Sequence, residues 1–273
     1  MSQPTVEDLR KRVRRIMEQS PAALLSWQDL IRDAESLASA SSDTASGVRF
    51  GELEYVHGVL TDCRIRVPAT LSVAHPRPLV VEMTPNTRAS AMSLLNSIAL
   101  RFALCMPRQR TRVVVIDPFD GSSVSDSLRD LRLSKSKLLT FRPPNTVVNW
   151  LTEHTDMATL VVVYHSLLER EAEEIQECRF GFKPAELTRL IQYLGAPECR
   201  TLSVIAWESD DPLHPLRMAM DDGSLRPTRI ELKNGAIELG SANLLPELSP
   251  LFTPDSAPAT DIAMDLLTKA GLN

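Results

Sequence analysis

The sequence predicts an α/β protein built on a mainly parallel sheet. Three observations predict it. Short runs rich in β-branched residues recur at Leu79–Met83, Val113–Ile116, Leu138–Phe141, Leu160–Tyr164 and Leu202–Ala206. They are nearly continuous in apolar character rather than alternating, as expected of strands covered on both faces. Segments with helical character lie between them, at 89–104, 122–132, 145–154, 166–177 and 184–194. Each is long enough to cross back over a sheet, the pattern of repeated βαβ units.

The elements follow in order. Val6, Leu9, Val13 and Ile16 recur at three- and four-residue steps, and Ser26 with Asp29 forms a capping-box pattern ahead of Leu30. Residues 5–40 are therefore expected to be helical, with Pro21 dividing two helices. The small, polar run Ala38–Gly47 is read as a linker. This gives a helical arm and linker over 1–47 and a main domain over 48–273. Near the end, Arg229–Leu232 and Ala236–Leu239 flank Asn234-Gly235, a strong hairpin signal. A last helix is expected over Thr260–Lys269.

Composition bounds the function. The 273 residues carry 43% hydrophobic and 24% charged residues, an ordinary globular balance. A net charge of -5 argues against a surface that moulds nucleic acid throughout. No apolar run approaches the roughly 18 residues of a membrane span, and the N-terminus lacks the apolar stretch of a secretory signal. A cytoplasmic protein with no membrane contact is expected. Cys63, Cys105, Cys178 and Cys199 have no metal-finger spacing and are expected to be reduced thiols. Glycine is scarce, with 10 residues and none between Gly58 and Gly121.

That gap covers the first strand–loop–helix unit, LVVEMTPNTRASAMSLL from Leu79. In an open parallel sheet this is where a ligand would sit. An active phosphate loop supplies glycines for an anion nest, a lysine for the β- and γ-phosphates and a hydroxyl for Mg²⁺. Here Arg88 stands at the lysine position and Ala89 at the hydroxyl position, and Pro85 removes a backbone N–H. Thr84, Asn86, Thr87, Arg88, Ala89 and Ser90 are the candidate phosphate-binding residues.

The run Asn86–Pro118, ending VVVIDP, resembles the Walker A helix and following strand of FtsK/SpoIIIE-type DNA translocase domains, which belong with the HerA-like P-loop ATPases. Gly58–Val73 resembles the strand leading into that motor core. Leu160–Leu168 falls at the Walker B strand, and Thr188–Ser209 resembles the following helix and sensor strand. The resemblance covers residues 48–252. It implies a RecA-like, ASCE-type three-layer sandwich, with the N-terminal helical arm before it and the hairpin and final helix after it.

The resemblance also marks what is missing. Walker B chemistry needs an Asp for the Mg²⁺ shell and usually a Glu to orient water. Tyr164 and His165 stand there instead. With lysine and hydroxyl also absent, hydrolysis is disfavoured and no cofactor is expected, with ATP and Mg²⁺ kept as disfavoured candidates. The implied function is a catalytically degenerate FtsK-like domain acting as an assembly or interaction subunit of a DNA-translocating or DNA-processing complex. It would pair with a protein partner or with itself. The alternative is an active, atypical ATP-dependent translocase completed by a partner chain.

Other candidate residues have plainer roles beside the functional ones. Asp117 and Asp120 follow the second strand and could hold a ribose or metal, or simply cap a turn. Glu208, Asp210 and Asp211 follow the last strand of the series; with Asp117 they could form a metal site, and a solvated acidic loop is the expectation. Arg10, Lys11, Arg12, Arg14 and Arg15 could touch DNA or an acidic partner, or form the solvated face of an amphipathic helix. Arg101, Arg108, Arg110 and Arg112 are expected around the turn between the first helix and the second strand, opposite the strand C-termini and so outside the ligand crevice; in the ring motors the chain resembles, such edges meet the neighbouring subunit. His57, His75, His154 and His214 form no recognisable constellation, and no nucleophile elbow occurs.

Overall fold

The computed structural model describes residues 11, 25–32, 47–56, 64–73, 76–106, 111–116, 138–140, 144–165, 184–208, 213–233, 236–238 and 250–271. The expected helices at 122–132 and 166–177 lie outside these residues, as does most of the N-terminal arm.

Among the described residues, seven strands form the central sheet. In chain order they are β3 (Leu79–Glu82), β4 (Thr111–Ile116), β5 (Leu138–Thr140), β6 (Ala158–His165), β7 (Leu202–Trp207), β8 (Thr228–Glu231) and β9 (Ala236–Glu238). Their order across the sheet is β5-β4-β6-β7-β3-β8-β9. All neighbours pair in parallel except β8 and β9, which form the expected antiparallel hairpin. β7 lies between β3 and β6, so the strand that leads into the candidate phosphate loop is central.

The strands sort their side chains by alternation. Leu79, Val81, Val113, Val115, Leu160, Val162, Val204 and Ala206 face one core; Val80, Val114, Ile116, Val161, Val163 and Ile205 face the other. The second core is closed by α3 (Pro144–Glu153), α4 (Pro184–Gly195) and α5 (Pro215–Asp221) through residues such as Val147, Leu151, Leu190, Ile191 and Leu216. The first is closed by α2 (Arg88–Cys105), which is buried on nearly every side. A helix apolar all round belongs inside a protein, and α2 is the central helix of this one. It ends at Met106, whose extended backbone (φ -96°, ψ 155°) fits the residue before Pro107.

Over α2 lies a second sheet that was not expected in this form. β1 (Gly47–Val56), β2 (Arg64–Ser72) and β10 (Leu251–Pro254) form an antiparallel sheet in the order β10-β1-β2. Val48, Phe50, Leu53, Tyr55, Val67, Ala69, Leu71 and Phe252 join the core beneath it. α6 (Thr260–Lys269) adds Ala263, Leu266 and Leu267, with Ala270 one turn on, at helical spacing. Its bounds are those read from the sequence.

The described part of the N-terminal stretch contains α1 (Trp27–Arg32). Its predicted cap forms: the Asp29 amide donates to Ser26 Oγ at 3.2 Å, and Ser26 Oγ donates to the Asp29 carboxylate at 2.6 Å. Leu30 is buried in the core with Trp27 packed beside it. Trp27 also donates its Nε1 to Ser97 Oγ of α2 at 2.9 Å.

Candidate functional site

The candidate site lies where β3 and β7 end and α2 begins. The Met83 amide donates to the Trp207 carbonyl at 3.0 Å, so the ladder continues one step past the two strands. Glu208, the next residue of one chain segment, is thereby set beside the loop that opens α2.

That loop is a single turn of 3-10 helix, Pro85–Thr87. It is closed by its own hydrogen bonds. The Thr84 amide donates to Thr87 Oγ1 at 2.8 Å, the Thr87 amide donates to the Thr84 carbonyl at 2.9 Å, and the two hydroxyls lie 3.2 Å apart. Pro85 has no amide to give. A phosphate nest requires successive amides pointing outward. Here two amides are turned inward and a third is missing. Thr84, Thr87 and Arg88 are partly buried, whereas Asn86, Ala89 and Ser90 are exposed.

Arg88 opens α2 and turns to an internal partner. Its Nε donates to Glu208 Oε2 at 2.8 Å, with the two side chains 21% and 10% exposed. Glu208 is therefore a mostly buried carboxylate at a strand end, which corrects the expectation of a solvated acidic loop. Asp210 and Asp211 lie outside the described residues, as do Asp117 and Asp120. Among the described residues, no group of three or more His, Cys, Asp or Glu side chains could hold a metal ion.

A second ion pair stands beside the first and was not singled out from the sequence. Arg229 Nε and Nη2 donate to Glu82 Oε1 and Oε2 at 2.7 and 2.9 Å, a two-pronged contact between neighbouring strands β8 and β3. Bidentate contacts of this kind fix geometry as well as charge. The available signal was a charge placed in each of the apolar runs LVVE and TRIE.

The position that the resemblance assigns to Walker B lies in the core. Tyr164 is fully buried on the face covered by α2, and His165 closes β6 opposite Trp207. His214 is also buried; its Nδ1 accepts the Leu216 amide at 3.1 Å and so caps α5, while its ring lies 4.8 Å from that of Trp207. His154 stacks on Trp150 at 4.5 Å. His57 and His75 lie outside the described residues. His154 and His214 thus have structural partners.

The arginines expected around the turn after α2 divide. Arg101 is fully buried. It carries a charge into the core because its partners are built around it. Nη1 donates to the Leu25 carbonyl at 2.6 Å, Nη2 donates to Asp255 Oδ2 at 3.1 Å, and the guanidinium lies 4.3 Å from the Trp27 ring centre. Burial pulls its pKa down to about 10, opposed by Asp255, so it remains a cation near neutrality. Arg112 donates to the Thr111 carbonyl at 2.8 Å. Arg108 and Arg110 lie outside the described residues. Of the basic N-terminal cluster only Lys11 is described, and it is exposed.

Cys105 and Cys199 are buried thiols, as expected. Burial pushes Cys105 up to about 11, offset in part by Arg101. Cys63 and Cys178 lie outside the described residues. No described helix is long and apolar enough to cross a membrane.

No family model matches this chain, and no curated protein matches it. Among solved structures it is similar to the cytoplasmic domain of the type VII secretion ATPase EccC from Thermomonospora curvata, with a TM-score of 0.44 and 14% identity. That similarity covers 81% of this chain and 30% of the other, so the chain spans less than a third of that protein.

Proposed function

We propose that this chain is an FtsK-like α/β domain that has kept its fold and lost its phosphate chemistry. It serves as an assembly or interaction subunit of a DNA-translocating or DNA-processing complex, through a protein partner or a second copy of itself. The observation that carries this reading is the Arg88–Glu208 pair. In a working phosphate loop the cation at the start of the helix is kept open for the γ-phosphate. Here a carboxylate of the same chain holds it, and a nucleotide would have to displace that carboxylate and bring its own negative charge beside it.

The surrounding residues do not fit a magnesium nucleotide. Mg²⁺ prefers oxygen ligands from carboxylates and hydroxyls. Ala89 offers no oxygen at the hydroxyl position, and Tyr164 puts a buried phenol where the resemblance requires an aspartate. The inward amides of Thr84 and Thr87 leave little of the nest that would hold the β-phosphate.

The test is ATP turnover with Mg²⁺ by the wild type and by Arg88→Ala, together with native mass spectrometry of the assembly purified from its host. The expected results are no turnover above background, no thermal stabilisation by ATP analogues, and a mass above that of a single chain. Turnover that disappears in Arg88→Ala, alone or after mixing with a partner, would overturn the proposal and favour a site completed by another chain.

A further inference from the structure

One face of α2 carries an uncharacteristic stripe. Ser93, Ser97 and Arg101 recur every four residues on a helix otherwise sunk in the core, which places them in a row along one side. Each holds a different piece of the chain's two ends. Ser93 Oγ accepts the Ala257 amide at 3.0 Å. Ser97 Oγ accepts Trp27 Nε1 at 2.9 Å. Arg101 binds both ends at once, with Nη1 on the Leu25 carbonyl and Nη2 on Asp255.

Asp255 is shared further. Arg49 Nε donates to Asp255 Oδ2 at 3.0 Å and Arg49 Nη2 to Oδ1 at 3.3 Å, while the Asp255 amide donates to the Phe50 carbonyl at 3.0 Å. One carboxylate therefore faces two guanidinium groups, only 0% and 11% exposed at their side chains. Removing Asp255 leaves two largely buried cations without their shared counterpart, which is far more costly than losing a surface pair.

We propose that residues 25–30 and 255–257 form a two-ended strap latched onto α2 through Arg101, so that loosening either end loosens the other. Their sequence separation makes them independent in the unfolded chain. In the folded chain they share one guanidinium: its placement depends on Trp27 and Leu25 at one end and on Asp255 at the other. Side chains that share a partner are coupled even when they do not touch each other. A partner that draws on the chain before residue 25 would thereby act on the segment joining β10 to α6.

Hydrogen exchange followed by mass spectrometry tests the latch in the full-length chain. Trp27→Phe removes the indole N–H and keeps an aromatic ring; Asp255→Asn removes the carboxylate charge and keeps the shape. The expected result is reciprocal. Trp27→Phe speeds exchange in residues 250–257 and Asp255→Asn speeds it in 25–32, each by about threefold or more, the low end of coupling through a shared partner. Exchange in β4 stays at the wild-type rate, which separates loosening of the strap from global unfolding. An increase confined to each variant's own segment overturns the proposal. If Asp255→Asn does not fold, Trp27→Phe decides alone: unchanged exchange in 250–257 overturns it.

Discussion

Arg88 and Glu208 stand 120 positions apart in sequence and meet at 2.8 Å where α2 begins and β7 has just ended. The contact joins a helix to the strand beside its own, at the sheet end where this architecture places ligands. Its burial lies between that of a surface pair and that of a core pair. Glu208→Ala is accordingly expected to destabilise the fold by about 1–3 kcal/mol. Arg88→Ala should cost a similar amount. The double variant Arg88→Ala/Glu208→Ala should be less destabilised than the sum of the two single variants, because it strands no charge. Urea unfolding of the four proteins measures this; strictly additive losses would show that the two side chains are not energetically coupled.

Little of that contact was readable from the chain, and the reason is physical. The parallel strands, the hairpin and α6 announce themselves locally, through apolar runs, Asn234-Gly235 and helical spacing. The small sheet does not. In β1 the buried residues Val48 and Phe50 are out of step with Leu53 and Tyr55, since the pairing with β2 shifts between Arg49 and Gly51. A bulge of this kind breaks the period-two signal in its middle. β2 contains Pro68, which normally argues against a strand; it is tolerated because β2 lies at the edge of its sheet. The setting of Arg101 is hidden for a different reason. In sequence it groups with Arg108, Arg110 and Arg112, but a helix as apolar as Leu94–Leu104 is buried all round, and a charge within it must find its partners inside.

Gly51 is expected to be irreplaceable for packing. A Cβ there would lie 2.5 Å from both Phe252 Cε2 and the Thr253 carbonyl oxygen. The ring could turn, but the oxygen belongs to the paired strand β10 and cannot. Gly51→Ala should cost about 1–3 kcal/mol by overpacking. Gly223→Ala offers a contrast. Its φ is +76° and nothing lies within 4 Å, so its loss comes from backbone strain alone, about 1–2 kcal/mol. Gly223→Asn should recover part of that loss, whereas Gly51→Asn should be worse than Gly51→Ala. Thermal unfolding of the four variants distinguishes steric from conformational causes.

Alkaline pH should expose the buried thiol. Burial raises Cys105 from 9.0 to about 11, so the folded state keeps its proton over a range where the unfolded chain releases it. Stability linked to this group is intact below pH 9 and is lost as pH rises toward 11. The upper bound is about 2.7 kcal/mol for two units. Arg101 works in the opposite direction, since its lowered value adds stability only as pH rises beyond about 10. Between pH 9 and 10 the thiol therefore dominates. Cys105→Ala should flatten the fall in stability over that interval, as measured by urea midpoints at stepped pH. An equally steep fall in the variant would assign it to other groups.

The turn before α2 gives the last test, because its closure depends on one hydroxyl. Thr87 Oγ1 accepts the Thr84 amide at 2.8 Å and lies 3.3 Å from the Thr84 carbonyl. Thr87→Val preserves shape and branching but leaves that amide without its acceptor. The expected cost is about 1 kcal/mol, the usual worth of a capping hydroxyl at a helix start. Thr87→Ser keeps the oxygen and should retain most of the wild-type stability, even though it loses a methyl group. The comparison also bears on the proposed loss of phosphate chemistry. In Thr87→Val the Thr84 amide is released toward solvent, so any latent affinity for inorganic phosphate should rise in that variant and more so in Thr87→Val/Glu208→Gln, where Arg88 is also released. Calorimetric titration with phosphate measures it. Phosphate binding by the wild type equal to that of the double variant would mean that neither the closed turn nor Glu208 blocks the site.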